Sequence, residues 1–221
     1  RRKMARVSVI GSGNFGSCIA REIAENIPNL KDILHPEIKM WVLDEMVNGE
    51  SLIKIINEKH ENVKYLPGFI IPDNVKAIGD IVECCDADYF IFVVPHQFLP
   101  STIRKMVGHV KPTATGCLLT KGITFENGTV QLLTDKVEEI LGIKCGSLMG
   151  ANIANEIARG DYCESTLAFP TKGCPIAEYW RKLFHTEKFS ISVTDDIVLQ
   201  QLAGTLKNIV AIGGGIVDGL D

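Results

Sequence analysis

The residues Gly11, Ser12, Gly13, Asn14, Phe15 and Gly16 stand between a β-rich apolar run over 7–10 and a stretch of helical periodicity. In a strand-turn-helix setting the first glycine permits a tight turn and the second admits backbone to a pyrophosphate. The third lets the helix pack close to the sheet. Free N–H groups and the positive end of the helix dipole then face the phosphates. Gly-rich turns also serve simply to reverse a chain, but the order of strand, turn and helix here is the one a dinucleotide site requires. Three later polar residues, Lys121, Asn152 and Lys207, stand at expected strand or helix ends amid apolar sequence. Taken singly, Lys121 also reads as a solvated loop cation and Asn152 as a helix N-cap. Lys207 interrupts the nearly apolar LAGTLKNIVAIGGG. A lysine is seldom fully buried without pairing or function, although a side chain snorkelling to the surface would fit the same pattern.

The elements that must position these groups follow from an alternation of short apolar runs with longer amphipathic ones, the rhythm of a parallel sheet flanked by helices. Strands are expected over 7–10, 39–43, 75–78, 89–94, 116–119, 147–149, 165–169 and 189–193. Helical patterns lie over 14–26, 48–59, 81–85, 98–107, 130–141, 153–159 and 176–184. The fold class is α/β, a Rossmann-type doubly wound and mostly parallel sheet over 1–193. Near Thr194 the rhythm changes: Thr194 or Asp195 is expected to cap a long helix from 197 toward 212. Residues 194–221 therefore read as the first helix of an α-helical second domain, because an isolated apolar helix lacks a partner for its face.

Asp44, after the second strand, is placed to accept hydrogen bonds from an adenosine ribose. It arrives later than the usual spacing of about 20 residues, a delay explained by the insertion-like segment 27–36 with its two prolines. It reads equally as a solvated turn residue, and Glu45 beside it blurs the assignment. With no Arg directly after this strand, NAD is favoured over NADP. The run FIFVVPHQF puts Phe98 beyond a buried strand, on the sheet edge where ligands bind in open α/β folds. It either walls a nicotinamide pocket or belongs to the core. His96 reads as a surface histidine or a general base.

Charge and composition agree with a small-molecule enzyme. The formal charge is -4 and 46% of residues are hydrophobic, so there is no general attraction to nucleic acid or acidic membrane. No apolar run reaches the roughly 18 residues of a membrane span, and the basic opening RRKMAR lacks the apolar core of a signal peptide. The seven cysteines, among them the adjacent Cys84 and Cys85 and the isolated Cys174, have no zinc-ligand spacing and read as reduced thiols.

The stretches VIGSGNFGSCIA, NEKHENVKYLPG, FIFVVPHQF, TKG, LMGANIANEIA and LAGTLKNIVAIGGGIVDGL span nearly the whole chain. Through them the sequence resembles the NAD-dependent glycerol-3-phosphate dehydrogenases of eukaryotic cytosol. The resemblance implies interconversion of sn-glycerol 3-phosphate and dihydroxyacetone phosphate with NAD, in a cytosolic homodimer. It implies that Gly11 to Gly16 hold the pyrophosphate, that Phe98 and Ala154 contact the cofactor, and that Lys121 and Asn152 meet substrate. Lys207 is implied as acid/base; a neighbouring Lys121 cation would lower its pKa while the substrate phosphate would oppose that shift. Leu43 stands where the family often has a cofactor-contacting Phe. Family members continue into a helical domain with a phosphate-binding arginine, so the 221 residues alone are expected to bind NADH weakly and turn over little. Other readings are a different two-domain hydroxyacid dehydrogenase, or an NADH-binding interaction module without turnover.

Overall fold

The computed structural model describes residues 4–126, 128–169 and 175–220, so the expectations for Cys174 and for the basic residues 1–3 lie outside it. One sheet is built from β1 (Ala5–Ile10), β2 (Leu34–Trp41), β3 (Val75–Ile78), β4 (Tyr89–Phe92), β5 (Thr115–Leu118), β6 (Lys144–Ala151), β7 (Cys163–Ala168) and β8 (Phe189–Thr194). Its order is β3-β2-β1-β4-β5-β6-β7-β8. All neighbours run parallel except β6 and β7, which are antiparallel. The chain leaves β1 toward β2 on one side and returns to β4 on the other. That reversal opens a crevice at the carboxyl end of β1, where ligands of such sheets bind.

The helices are α1 (Asn14–Asn26), α2 (Leu52–Lys59), α3 (Leu99–Arg104), α4 (Leu133–Leu141), α5 (Ala154–Arg159), α6 (Pro175–Phe184) and α7 (Ile197–Asp218). Successive strand residues point to opposite faces, so Val9 and Ile91 join one core while Ile10 and Phe92 join another. Ile19 of α1, Leu52 of α2, Ile157 of α5 and Trp180 of α6 complete the first; Ile103 of α3 and Val137 of α4 complete the second. Burial on both faces is why these strands read as continuous apolar runs. The six described cysteines are buried free thiols, and burial pushes Cys18 and Cys84 up to about 12. Among the described residues no helix is long and apolar enough to cross a membrane.

Several boundaries differ from the periodicity. The helix expected over 48–59 begins at Leu52, because Met46–Val47 and Glu50–Ser51 pair as a hairpin whose turn uses Asn48 and Gly49 at positive φ. Likewise 130–141 yields helix only from Leu133, since Thr129–Leu132 pairs with Ile123–Glu126. Residues 81–84 form a single 3-10 turn. β2 ends at Trp41, so Leu43 and Asp44 belong to the following loop. Neither Thr194 nor Asp195 caps α7: the Asp196 carboxylate accepts from the Leu199 N–H at 2.9 Å. Helix α7 is anchored near its start, where Gln200 and Gln201 are buried, whereas Ile209, Val210, Ile212 and Val217 are exposed.

Trp180 holds α6 to the sheet. It is fully buried, meets Tyr89 edge-on and stacks with Phe169 and Phe184, and its indole N–H donates to Thr115 Oγ1 at 3.1 Å. Trp180→Ala should therefore lower stability by about 3–5 kcal/mol in a urea titration, the range for deleting a buried aromatic; a loss below about 1 kcal/mol would mean the site collapses around the gap.

Candidate active site

The turn after β1 is closed by contacts that only glycine allows. Gly11 has φ of +118°, and a Cβ there would stand 3.0 Å from the Val93 carbonyl carbon. A Cβ on Gly16 would overlap the carbonyl oxygen of Gly11, so α1 starts directly against the turn. At Gly13 the reverse holds: none of the described residues lies within 4 Å of where a Cβ would be. The backbone there is open to a phosphate at the N-terminus of a helix, which favours negative charge.

Beside this turn lies a cleft of about 310 Å³. Asn14 and Phe15 bound it from the first turn of α1, Val94 and Pro95 from beyond β4, Thr120 and Lys121 from beyond β5, and Asn152 and Ala154 from beyond β6. The segments after β4 and β5 are fixed to each other by Thr120, whose hydroxyl donates to the Val94 carbonyl at 2.7 Å. Asn14 donates from Nδ2 to the Tyr65 carbonyl at 2.7 Å and to Asn155 Oδ1 at 2.9 Å, tying the turn to α5.

Asn152 is 7% exposed and does not cap α5, whose N-cap is Ile153. Its Nδ2 donates to Ser165 Oγ at 2.9 Å, while its buried Oδ1 has no partner among the described residues. A buried unpaired acceptor carries a desolvation penalty of about 1–3 kcal/mol, which a donor brought to Oδ1 would relieve.

Lys207 reaches the same region from α7. Its Nζ donates to the Gly150 carbonyl at 3.3 Å, and it lines a second hollow of about 420 Å³ with Met149, Thr166 and Gly204. The helix bearing it is set by Gln200, whose Nε2 donates to the Ser147 carbonyl at 3.0 Å. Lys121 keeps contact with solvent, yet its pKa falls to about 8, first through partial desolvation and then through the Lys207 ammonium beside it. The two lysines thus join the two hollows.

The remaining expected residues stand outside the cleft lining. Phe98 precedes α3 and is 56% exposed, Leu43 is 66% exposed, and His96 is exposed. Asp44 is engaged locally: its carboxylate accepts from the Ser51 hydroxyl at 2.8 Å and from the Ile53 N–H at 3.2 Å. The Ser51 hydrogen bond, with that from Ile53, holds its pKa below the ordinary carboxylate value. Sequence reasoning did not single out Thr120, Ser165 or Gln200; their roles come from long-range partners that no local spacing announces.

The residues present fit a dinucleotide, on three observations: the open backbone at Gly13, the close packing of Gly16, and the unpaired Asn152 acceptor farther along the cleft. The family described as NAD-dependent glycerol-3-phosphate dehydrogenase N-terminus matches residues 6–174. The protein of Pichia angusta named glycerol-3-phosphate dehydrogenase, NAD(+), is 44% identical over 226 residues, covering 99% of this chain and 59% of that protein. A cytoplasmic NAD(+) glycerol-3-phosphate dehydrogenase of Drosophila melanogaster is 43% identical over 219 residues, covering 97% of this chain and 59% of its own length. The solved glycerol-3-phosphate dehydrogenase of Saccharomyces cerevisiae superposes with a TM-score of 0.91 at 41% identity, over 99% of this chain and 64% of that one. The chain thus spans less than two thirds of the length of the curated relatives it matches, 53% to 61% for these and similar proteins. On the match over 6–174 and these identities, the chain belongs to the NAD-dependent glycerol-3-phosphate dehydrogenase family.

Proposed function

We propose that this chain carries the nucleotide-binding part of an enzyme that interconverts sn-glycerol 3-phosphate and dihydroxyacetone phosphate with NAD. The observation that supports it most is the meeting of Lys121, Asn152 and Lys207 beside the cleft of the Gly-rich turn. When bound, the nicotinamide supplies an acceptor for the hydride of the carbinol carbon. Lys207 takes the hydroxyl proton during oxidation and returns it to the ketone oxygen in reverse, general acid–base chemistry at one atom. The Gly150 carbonyl aims its Nζ. Lys121 supplies positive charge to the substrate's oxygen or phosphate, and Asn152 accepts a substrate hydroxyl at its free Oδ1. Nδ2 gives one of its two hydrogens to Ser165, and Oδ1 is the carboxamide atom without a partner among the described residues.

In the same reading the backbone from Gly11 through Gly16, Ser12 included, holds the pyrophosphate. Phe15 and Ala154 flank the nucleotide, Phe98 closes over it, and Leu43 and Asp44 receive its adenosine end. Residues 1–193 form the nucleotide-binding unit and 194–221 open a helical one, whose exposed Ile209, Val210 and Val217 are suited to bury against further helices. Homodimer formation and a cytosolic place complete the proposal, the latter supported by the printed name of the Drosophila relative.

Lys207→Ala should reduce dihydroxyacetone phosphate-dependent NADH oxidation by about 10²-fold or more while NADH binding persists, the scale of losing a general acid; unchanged turnover would remove Lys207 from the mechanism. The pH dependence has a definite sign. Lys121 is a cation below about 8 and neutral above it, so kcat/KM for the anionic substrate should fall as pH rises through that value. The residual activity of Lys121→Met should lack this descending limb, and a limb that survives the substitution would assign it elsewhere.

A further inference from the structure

The segment NEKHENVKYLPG carries the resemblance to the family, yet none of its residues lines the cleft. Asn62, within it, is fully buried, and all of its carboxamide is used. Nδ2 donates to the Ser12 carbonyl at 2.8 Å and to Ser17 Oγ at 2.8 Å, and Oδ1 accepts from the Tyr65 N–H at 3.1 Å. Ser17 Oγ closes the triangle by donating to the same Ser12 carbonyl at 3.0 Å. The partners fix the amide's orientation: turned over, it would set an oxygen against a carbonyl and an NH₂ against an N–H.

The consequence falls on the next residue. The Ser12 carbonyl and the Gly13 N–H belong to one planar trans peptide and point in opposite directions. Two buried donors hold that carbonyl inward, so the Gly13 N–H points the opposite way, and no described residue lies within 4 Å of the Gly13 Cβ position. Asn14, on the other side of Gly13, is held to the same 62–65 segment through the Tyr65 carbonyl. A free peptide at Gly13 would be able to present its carbonyl to an incoming anion; this one is held in the receptive orientation.

We infer that Asn62 is a positioning residue for dinucleotide recognition: it locks the Ser12–Gly13 peptide so that the Gly13 N–H meets the pyrophosphate. The inference rests on the dinucleotide reading of the Gly-rich turn and adds to it a residue that touches no ligand.

The test is Asn62→Leu, which keeps much of the side-chain volume and removes the donor facing Ser12 without adding a charge. Dissociation constants for NADH, ADP-ribose and adenosine are measured on the full chain, well below the melting temperature of each protein. The expected result is a loss of about tenfold or more for NADH and ADP-ribose, the equivalent of one lost hydrogen bond, with adenosine changed by less than about twofold. Equal weakening of all three ligands, or unchanged binding of all three in a folded variant, would overturn the inference, since a merely structural role would not select for the pyrophosphate. Should the variant not fold, Ser17→Ala, which removes one of the two donors to Ser12, should show the same selectivity at about two- to fivefold; absence of that selectivity overturns the inference equally. Failure of the unsubstituted chain to bind NADH would instead remove the dinucleotide reading itself.

Discussion

The pairing of β1 with β2 on one side and β4 on the other is the constraint on which the rest depends. Because β1 runs parallel to both neighbours, each connection must cross a face of the sheet, and the two crossings go opposite ways. The carboxyl end of β1 is left uncovered. Gly11 and Gly16 then let α1 begin against that opening instead of being held off by side chains. The open N-terminus of α1, a cleft lined by the ends of β4, β5 and β6, and the approach of α7 all inherit their positions from this arrangement.

Within the cleft, polar groups are arranged by partners that do not face the ligand. Thr120 joins the loops after β4 and β5, Ser165 holds Asn152, Gln200 secures the start of α7, and Asn62 turns a peptide of the Gly-rich loop. Each is a buried or part-buried hydrogen bond between segments far apart in sequence, where an unmade bond would be costly. The two lysines differ from these. Desolvation, and after it the neighbouring Lys207, lowers Lys121 toward the working pH range, so the site combines fixed neutral dipoles with a charge that titrates there.

Much of this was legible in the residues. The Gly-rich hexapeptide announced the turn and α1, and eight apolar runs announced the eight strands of the sheet, because strands buried on both faces leave a continuous hydrophobic signal. Strand direction was not legible: periodicity is the same for parallel and antiparallel neighbours, so the reversed β6–β7 pair appears only in the structure. The hairpins before α2 and α4 were absorbed into helices: Val130, with Leu133 and Val137, recurs at helical spacing, although it lies in a strand. Asp44 shows the same limit at the site. A carboxylate after the second strand suits a ribose, but its spacing cannot reveal that Ser51 and Ile53 also donate to it. Asn62 was visible as part of a distinctive motif while its partners, Ser12 and Ser17, lay about 50 residues away.

The measurement that reaches the central claim most directly is a crystal structure of the chain with NADH. The account predicts pyrophosphate density against the Gly13 backbone, with the nicotinamide extending along the cleft toward Lys121 and Asn152. Nucleotide bound elsewhere, or with its phosphates away from the turn between Gly11 and Gly16, would contradict it.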